Sequence, residues 1–208
     1  MKPRALDLFC GAGGATKGLQ RAGFDVTGID IAAQPRYCGD RFIQGNALAP
    51  PFDLAVFDLI WASPPCQAFS KTSKLQGNSH PRLIEPVRQM LRATGRPYVI
   101  ENVPGAPLLN PAVLCGSMFN LRVHRPRGFE TSFPMPFDLA PPPGRQAKLG
   151  GPVKAGELIH VVGHFSNVPY ARIAMDIGWM TQGELALAIP PAYSEFIGRA
   201  ALAAEALR

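Results

Sequence analysis

The chain has 208 residues, of which 47% are hydrophobic and 17% charged, with a formal net charge of +6. That length suits one domain with a real core, and no apolar run approaches the roughly 18 residues needed to cross a bilayer. The basic balance permits a polyanionic partner without requiring one. Cys10, Cys38, Cys66 and Cys115 are widely spaced with no CxxC pair, which argues against zinc and against a disulfide framework. The basic start Met1-Lys2-Pro3-Arg4 leads into a strand-like segment rather than a leader, so the expectation is a soluble, intracellular protein.

Residues 5–9 read as a short apolar strand broken by Asp7, followed by Cys10-Gly11-Ala12-Gly13-Gly14. Residues 15–22 have helical spacing and end at Gly23; residues 24–29 form a second strand closed by Asp30. Strand, glycine turn, helix, strand and acid open a doubly wound α/β sheet. A short third strand is expected within 40–47, and a β-rich run over 55–62 ends in Ser63-Pro64-Pro65-Cys66. Residues 81–94 read as a helix with Gly95 past its end and a kink at Pro86. A strand at 98–100 runs into Glu101-Asn102-Val103-Pro104. The segment 134–152, with Pro141-Pro142-Pro143-Gly144, suits neither helix nor central strand and reads as an exposed loop or irregular lobe. Helices are expected again over 171–179, 181–188 and 192–207, and there is no internal repeat.

Three strand ends carry chemistry-bearing residues, and open parallel sheets bind ligands at such ends. The glycine turn with Asp30 suits a nucleotide, because glycines let the backbone approach and the acid can bond ribose hydroxyls. NAD, FAD and S-adenosylmethionine sites share that logic, and the third glycine of the dinucleotide fingerprint is missing. Taken alone it is also compatible with a tight turn and no ligand. Ser63-Pro64-Pro65-Cys66-Gln67 holds a thiol on a rigid turn, although an isolated cysteine there would more often be an inert core residue. Glu101 can hydrogen-bond a base edge; alone it reads as a solvated or capping acid.

In this order and at strand ends, DLFCGAGG, PPCQ and ENV resemble the DNA cytosine-5 methyltransferase family, over roughly residues 6–127, with a weaker match near the C-terminus. The resemblance implies a class I S-adenosylmethionine-dependent methyltransferase fold. That is an α/β, Rossmann-like, mixed and mostly parallel sheet with helices on both faces, plus a reduced target-recognition region. It implies S-adenosyl-L-methionine as cofactor, S-adenosyl-L-homocysteine as product, and double-stranded DNA as partner, acted on by a monomer in the cytoplasm of a bacterial host. The cofactor residues it implies are Phe9, Gly11, Gly13, Gly14, Asp30, Ile31, Asn46, Ala47 and Pro64. Asn46 stands where the family usually has an aspartate facing the adenine amino group. The catalytic residues are Cys66 as nucleophile, Glu101 as the base-binding acid, and Arg125 and Arg127 of a Gln-x-Arg-x-Arg motif whose glutamine is Val123 here. DNA contacts are expected from Gln67, Ser70, Lys71, Lys74, Arg122, His124 and His164. The tail from Ile189-Pro190-Pro191 resembles the helix that closes the cofactor site, with Ala186-Leu187 where a Gly-Asn pair is usual.

The implied chemistry is attack of the Cys66 thiolate on carbon 6 of a flipped-out cytosine, methylation at carbon 5 and loss of the carbon-5 proton. The expected division is a catalytic core over 1–127, a Pro-rich recognition region over 128–178 and a returning helical segment over 179–208. So short a recognition region predicts a short or relaxed target sequence. The compact size resembles phage-borne members, and either protection from restriction or the marking of phage DNA would suit it. The alternatives are the same chemistry on RNA or a free cytosine nucleotide, a catalytically silent DNA-binding relative, and an NAD-linked oxidoreductase that would leave PPCQ and ENV unexplained.

Overall fold

The computed structural model describes residues 1–65, 82–136, 144–148, 151 and 153–206. Short apolar runs bounded by glycine, proline or acid form the strands β1 (Arg4–Leu8), β2 (Asp25–Asp30), β3 (Arg41–Gln44), β4 (Leu59–Ala62), β5 (Tyr98–Asn102), β6 (Ala112–Leu114) and β7 (Arg127–Thr131). They pair into one sheet in the order β3-β2-β1-β4-β5-β7-β6. β1 to β5 are parallel, and β7 inserts antiparallel between β5 and β6. The helices are α1 (Gly14–Ala22), α2 (Ile84–Ala93), α3 (Val168–Met175), α4 (Gln182–Leu187) and α5 (Pro191–Ala206).

Because both faces of a parallel sheet are covered, its strands are apolar on both sides. Ala5, Leu59, Trp61, Val99 and Phe129 face α1 and α5, meeting Leu19, Tyr193 and Ile197. Leu6, Leu8, Ile60, Ala62 and Ile100 face the other way, toward Val87 and Leu91 of α2. A third cluster forms where the Val123–Ile159 bridge, Val161 and Phe165 pack on α3 and on Leu185 of α4. It reaches the glycine turn through Ala12.

Several local expectations change. The helix expected over 81–94 runs from Ile84 to Ala93, and Pro81 lies outside the described residues. Pro86 sits in its first turn, where the missing N–H has no intrahelical partner to lose, so it does not break the helix. The run over 55–62 divides into a 3-10 turn, Leu54–Val56, and β4, because the Asp53 side chain caps the turn on Ala55 N–H at 2.9 Å. The helix expected over 171–179 starts earlier, at an Asn167 cap, and ends at a left-handed Asp176. β6 and β7 are additions to the expected elements, and β7 crosses the division drawn at 127/128, so the sheet continues to Thr131.

The C-terminal helix seats directly on α1. A Cβ at Gly18 would lie 2.0 Å from Pro191 O and 2.1 Å from Ser194 Oγ, and Ser194 Oγ donates to Ala15 O at 2.8 Å. Gly18→Ala is therefore expected to destabilise the protein by about 1–3 kcal/mol through overpacking. Gly183→Ala in α4 meets open space, and should gain roughly 0.5–1 kcal/mol by relieving glycine's entropy cost. Urea denaturation of the two variants checks the opposite signs.

Candidate active site

The turn after β1 is built from residues that leave the ordinary backbone regions. Phe9 has φ 61°, Gly11 φ 50° and Gly13 φ 90°. The left-handed conformation is costly for an aromatic residue, and at Gly13 a Cβ would also lie 2.7 Å from Cys38 Sγ. Asp30, at the end of β2, holds the turn in place. Its two oxygens accept from Gly11 N–H at 2.9 Å and Ala32 N–H at 3.0 Å, tying the loop after β1 to the loop after β2.

A cavity of about 550 Å³ opens at this edge, a volume in the range of small-molecule sites. Phe9, Gly11, Gly14, Asp30 and Ile31 line one part of it, and Asn46, Ala47 and Pro64 another. Eight of the nine expected cofactor residues therefore converge. Gly13 does not line the cavity; its contribution is the left-handed start of α1. The Asn46 amide oxygen accepts Leu48 N–H at 3.0 Å, fixing its own turn.

The C-terminal segment supplies further walls: Leu187 lies beside the tail that resembles the closing helix, while Met180 and Glu184 are not announced by the sequence. Ile31 and Leu187 are 76% and 81% exposed although both line the cavity. Apolar side chains left open at a cavity rim suit an apolar ligand face. Arg36 Nε reaches Glu184 at 2.8 and 3.1 Å, linking the loop after β2 to α4. No local sequence signal marks these contacts, since they join segments far apart in the chain.

The inner end of the cavity holds Glu101 and Arg127. Glu101 is buried at the end of β5, and Arg127, entering β7, pairs with it at 3.0 Å. Burial pushes the Glu101 carboxyl up, against the pull of Arg127, a hydrogen bond from Ser63 and the charge of Arg125. Ser63 Oγ in turn accepts from Trp61 Nε1 at 3.0 Å. Asn102 Nδ2 donates to Pro64 O at 2.9 Å, so the strand that carries Glu101 also anchors the backbone just before Cys66.

Arg125 does not join Arg127 in the cavity wall. Its guanidinium is buried and donates to Val161 O and, at 2.8 Å, to Ala186 O, while its own carbonyl accepts from the Tyr193 hydroxyl at 2.9 Å. Arg125 lies before β7, which begins at Arg127, on a stretch that pairs with Ile159 rather than with β5, and its hydrogen bonds run toward the third cluster while its charge still acts on Glu101.

Of the residues expected to touch DNA, Arg122 and His164 are exposed and His124 is half-buried. Residues 122–124 pair with Ile159 through bonds of 2.8 Å. The His124 ring lies 5.3 Å from that of His160, edge to face. Burial and His160 hold His124 below the ordinary imidazole range, so it is neutral near pH 7. Cys66, Gln67, Ser70, Lys71 and Lys74 lie outside the described residues.

Asp7, on β1, is a site residue that reads in the sequence only as a break in a strand. It is 0% exposed yet lines the cavity. Thr16 Oγ1 donates to its Oδ2 at 2.6 Å, and among the described residues Oδ1 has no hydrogen-bond partner. Burial pushes the carboxyl up to about 7, further raised by Asp30 and Glu101.

Among the described residues no group of three or more His, Cys, Asp or Glu is placed to hold a metal ion, and no helix is long and apolar enough to cross a membrane.

Seven strands in this order, with a nucleoside-sized cavity at the ends of the parallel ones, define the Rossmann-like methyltransferase fold. Residues 4–110 match the family model of C-5 cytosine-specific DNA methylases, and the chain belongs to that family. It is 30% identical over 128 residues to the type II methyltransferase M.AquIA of Picosynechococcus sp., covering 50% of this chain and 50% of that protein. The chain thus spans about half the length of this curated relative. Among solved structures it resembles an E. coli prophage protein described as a DNA modification methyltransferase, with a TM-score of 0.69 at 14% identity over 98% of this chain and 99% of that one. It also resembles the S. pombe Dnmt2 methyltransferase, with a TM-score of 0.65 at 15% identity over 100% of both chains. At those identities the likeness shows the fold.

Asp7 gives the site a testable pH signature. Its folded value lies above the roughly 3.9 of an unfolded aspartate, so folding favours the protonated form. That contribution is complete below the unfolded value and is lost as pH rises to about 7. Between pH 5 and 8 the ligand-free protein is expected to lose on the order of 2–4 kcal/mol of stability from this group. The loss should be much smaller in Asp7→Asn, as read by urea midpoints across that range.

Proposed function

We propose that the protein transfers a methyl group from S-adenosylmethionine to carbon 5 of cytosine in double-stranded DNA. The observation that carries this reading is the shared cavity joining the glycine turn and Asp30 to the Glu101–Arg127 pair.

The residues present fit the cofactor. Phe9 and the exposed Ile31 offer apolar surface to an adenine, and Asp30 keeps lone pairs for ribose hydroxyls beyond its two backbone bonds. Asn46 stands where an adenine amino group would be met, and the partnerless Asp7 Oδ1 offers an acceptor to a donor at the cavity floor. When bound, S-adenosylmethionine supplies an electrophilic methyl group.

The chain's own residues would do the rest. Cys66, directly after the Pro64-Pro65 turn that Asn102 anchors, attacks carbon 6 of the cytosine as a thiolate, giving carbon 5 the electron density to accept a methyl group. Glu101, raised by burial, retains a protonated fraction that can donate to ring N3 and offset the charge that builds there. Arg127 fixes that carboxyl and lines the same end of the cavity. A base then removes the carbon-5 proton and the thiol leaves. Because carbon 6 is stacked inside a duplex, the nucleotide must be flipped out at a cost of a few kcal/mol.

Target recognition falls to the part of residues 128–178 that follows β7. His164 is a candidate backbone contact there and Arg122 another just before β7, with Gln67, Ser70, Lys71 and Lys74 beyond the described residues. We read the protein as a monomer working in the cytoplasm of a bacterial host, in protection from restriction or in the marking of phage DNA.

The test is incubation with labelled S-adenosylmethionine and a duplex carrying 5-fluorocytosine, whose fluorine blocks the final proton loss. A covalent protein–DNA adduct that survives denaturation is expected, and none with Cys66→Ala. Glu101→Gln should lower turnover on ordinary DNA by about 10²–10³-fold, the scale of losing one such hydrogen bond in a transition state. No adduct from folded, cofactor-binding protein, or an adduct formed equally on RNA, would overturn the assignment of DNA as substrate.

A further inference from the structure

The geometry points to a second ligand site, an anion pocket for a small phosphate or phosphate ester, at the edge of the sheet opposite the candidate active site. It uses none of the residues assigned to methyl transfer and stands or falls separately from that reading.

The pocket follows from how α2 ends. Thr94 Oγ1 donates to Leu91 O at 2.6 Å and accepts Arg96 N–H at 3.1 Å, while Gly95 N–H returns to Arg92 O at 3.2 Å. Gly95 has φ 65°, the left-handed value that lets the chain reverse at a helix end. The reversal brings Arg96 into the same cavity as Arg92, a space of about 530 Å³. Tyr98, which opens β5, and Thr131 and Ser132, at and just past the end of β7, also line it. Glu101 and Arg127 stand toward the other ends of those two strands.

Buried polar groups hold this cavity in shape. Glu130 is 2% exposed, and its carboxylate takes two bonds from Arg88, at 2.7 and 2.8 Å, and one from Leu109 N–H at 2.9 Å. Its charge is thereby offset, and it offers little to a cation. The buried Tyr98 hydroxyl lies 3.4 Å from Glu130 Oε1 and accepts from Arg92 Nε at 3.3 Å, so the Arg92 fork is held by its inner nitrogen. Ser132 Oγ accepts Tyr98 N–H at 2.8 Å and keeps its own hydrogen to donate.

Arg92 and Arg96 are both exposed, and among the described residues neither forms an ion pair. Cations at a helix C-terminus complement its dipole, but that dipole amounts to only about half a charge, against two guanidinium groups. A phosphate dianion matches both charges, and its oxygens suit the planar guanidinium fork. A carboxylate would bring one charge only. The cavity is larger than a bare phosphate fills and lies in the range of small-molecule sites. Leu109, 47% exposed, adds an apolar face to its wall, so an ester with a small organic body fits it better than the inorganic ion.

Proton–nitrogen correlation spectra of the full chain, titrated at constant ionic strength with inorganic phosphate or with ribose 5-phosphate, test this. Saturable shifts are expected at the Gly95, Arg96 and Ser132 amides, with the ester binding more tightly. Equal affinities would support the pocket with inorganic phosphate as its occupant. Arg96→Gln should weaken binding by about tenfold, the scale of one charged hydrogen bond, and Arg92→Gln combined with Arg96→Gln should abolish it. Arg41→Gln, which removes an exposed charge on β3, should bind as the unaltered chain does. The titration of the unaltered chain stands even if the double variant fails to fold. No saturable shift at those amides, or shifts that survive in the folded double variant, would overturn the inference. So would shifts produced by duplex DNA alone, since the two arginines would then be backbone contacts of a nucleic acid.

Discussion

Asp7, Asp30 and Glu101 stand on β1, β2 and β5 of one sheet and share one cavity, and each meets the cost of its charge differently. Asp30 is only partly buried and takes two backbone N–H groups, which is enough to fix both loops of the nucleoside end. Glu101 is buried and takes a guanidinium and a hydroxyl. Asp7 is buried and draws on Thr16 alone, through its hydroxyl and its backbone. The least satisfied of the three, on β1, lies between the two better satisfied ones in the sheet order, and it is the position that needs most from a ligand. An enzyme can satisfy every carboxylate internally and remain rigid, or leave one acceptor open and let a substrate complete it. This fold does both within one cavity.

The antiparallel β7 is what lets Glu101 be buried at all. A sixth parallel strand would have put its first residue at the far end of the sheet. Entering from the opposite direction, β7 brings Arg127 to the carboxyl end of β5, where it reaches Glu101. The same chain segment spends its preceding inward position on Arg125, whose guanidinium and carbonyl link Val161, Ala186 and Tyr193. Two arginines two positions apart therefore have different duties: one faces the cavity, and the other ties the C-terminal segment to the core. Tyr193 and Ser194 extend that tie along α5 to α1, the helix that carries the glycine turn. The cavity is thus enclosed by segments from both ends of the chain.

Much of this is legible in the amino-acid sequence. The glycine turn, Asp30, the Pro64-Pro65 turn and Glu101 can be read as strand-end groups because the apolar runs that precede them are continuous, as buried parallel strands must be. The short β6 and β7 are not legible, since Ala112–Leu114 and Arg127–Thr131 lack a long apolar run and owe their pairing to β5. Arg125 misleads because the strand that brings its neighbour to the cavity begins only at Arg127, so the two-residue alternation does not reach back to it. Asp7 looks like a mere interruption of an apolar strand. Its importance comes from complete burial with one oxygen unpartnered, which needs the three-dimensional surroundings of Thr16, Asp30 and Glu101.

The region after β7 bears on how such a protein would choose its target. Base-edge recognition needs several side chains free to reach a groove. Here much of that region is spent on a core: Ile159, Val161 and Phe165 pack with Val123, from just before β7, against α3. What remains outward on the paired segment is Arg122, a His124 that is neutral near pH 7, and its neighbour His160. On the proposed reading Arg122 would be a backbone-type contact, which positions a duplex without reading it. On the proposed reading, affinity would then come mainly from charge, consistent with the formal +6 of the chain, and sequence choice from few contacts. The same packing that makes so short a region stable leaves it little surface with which to discriminate.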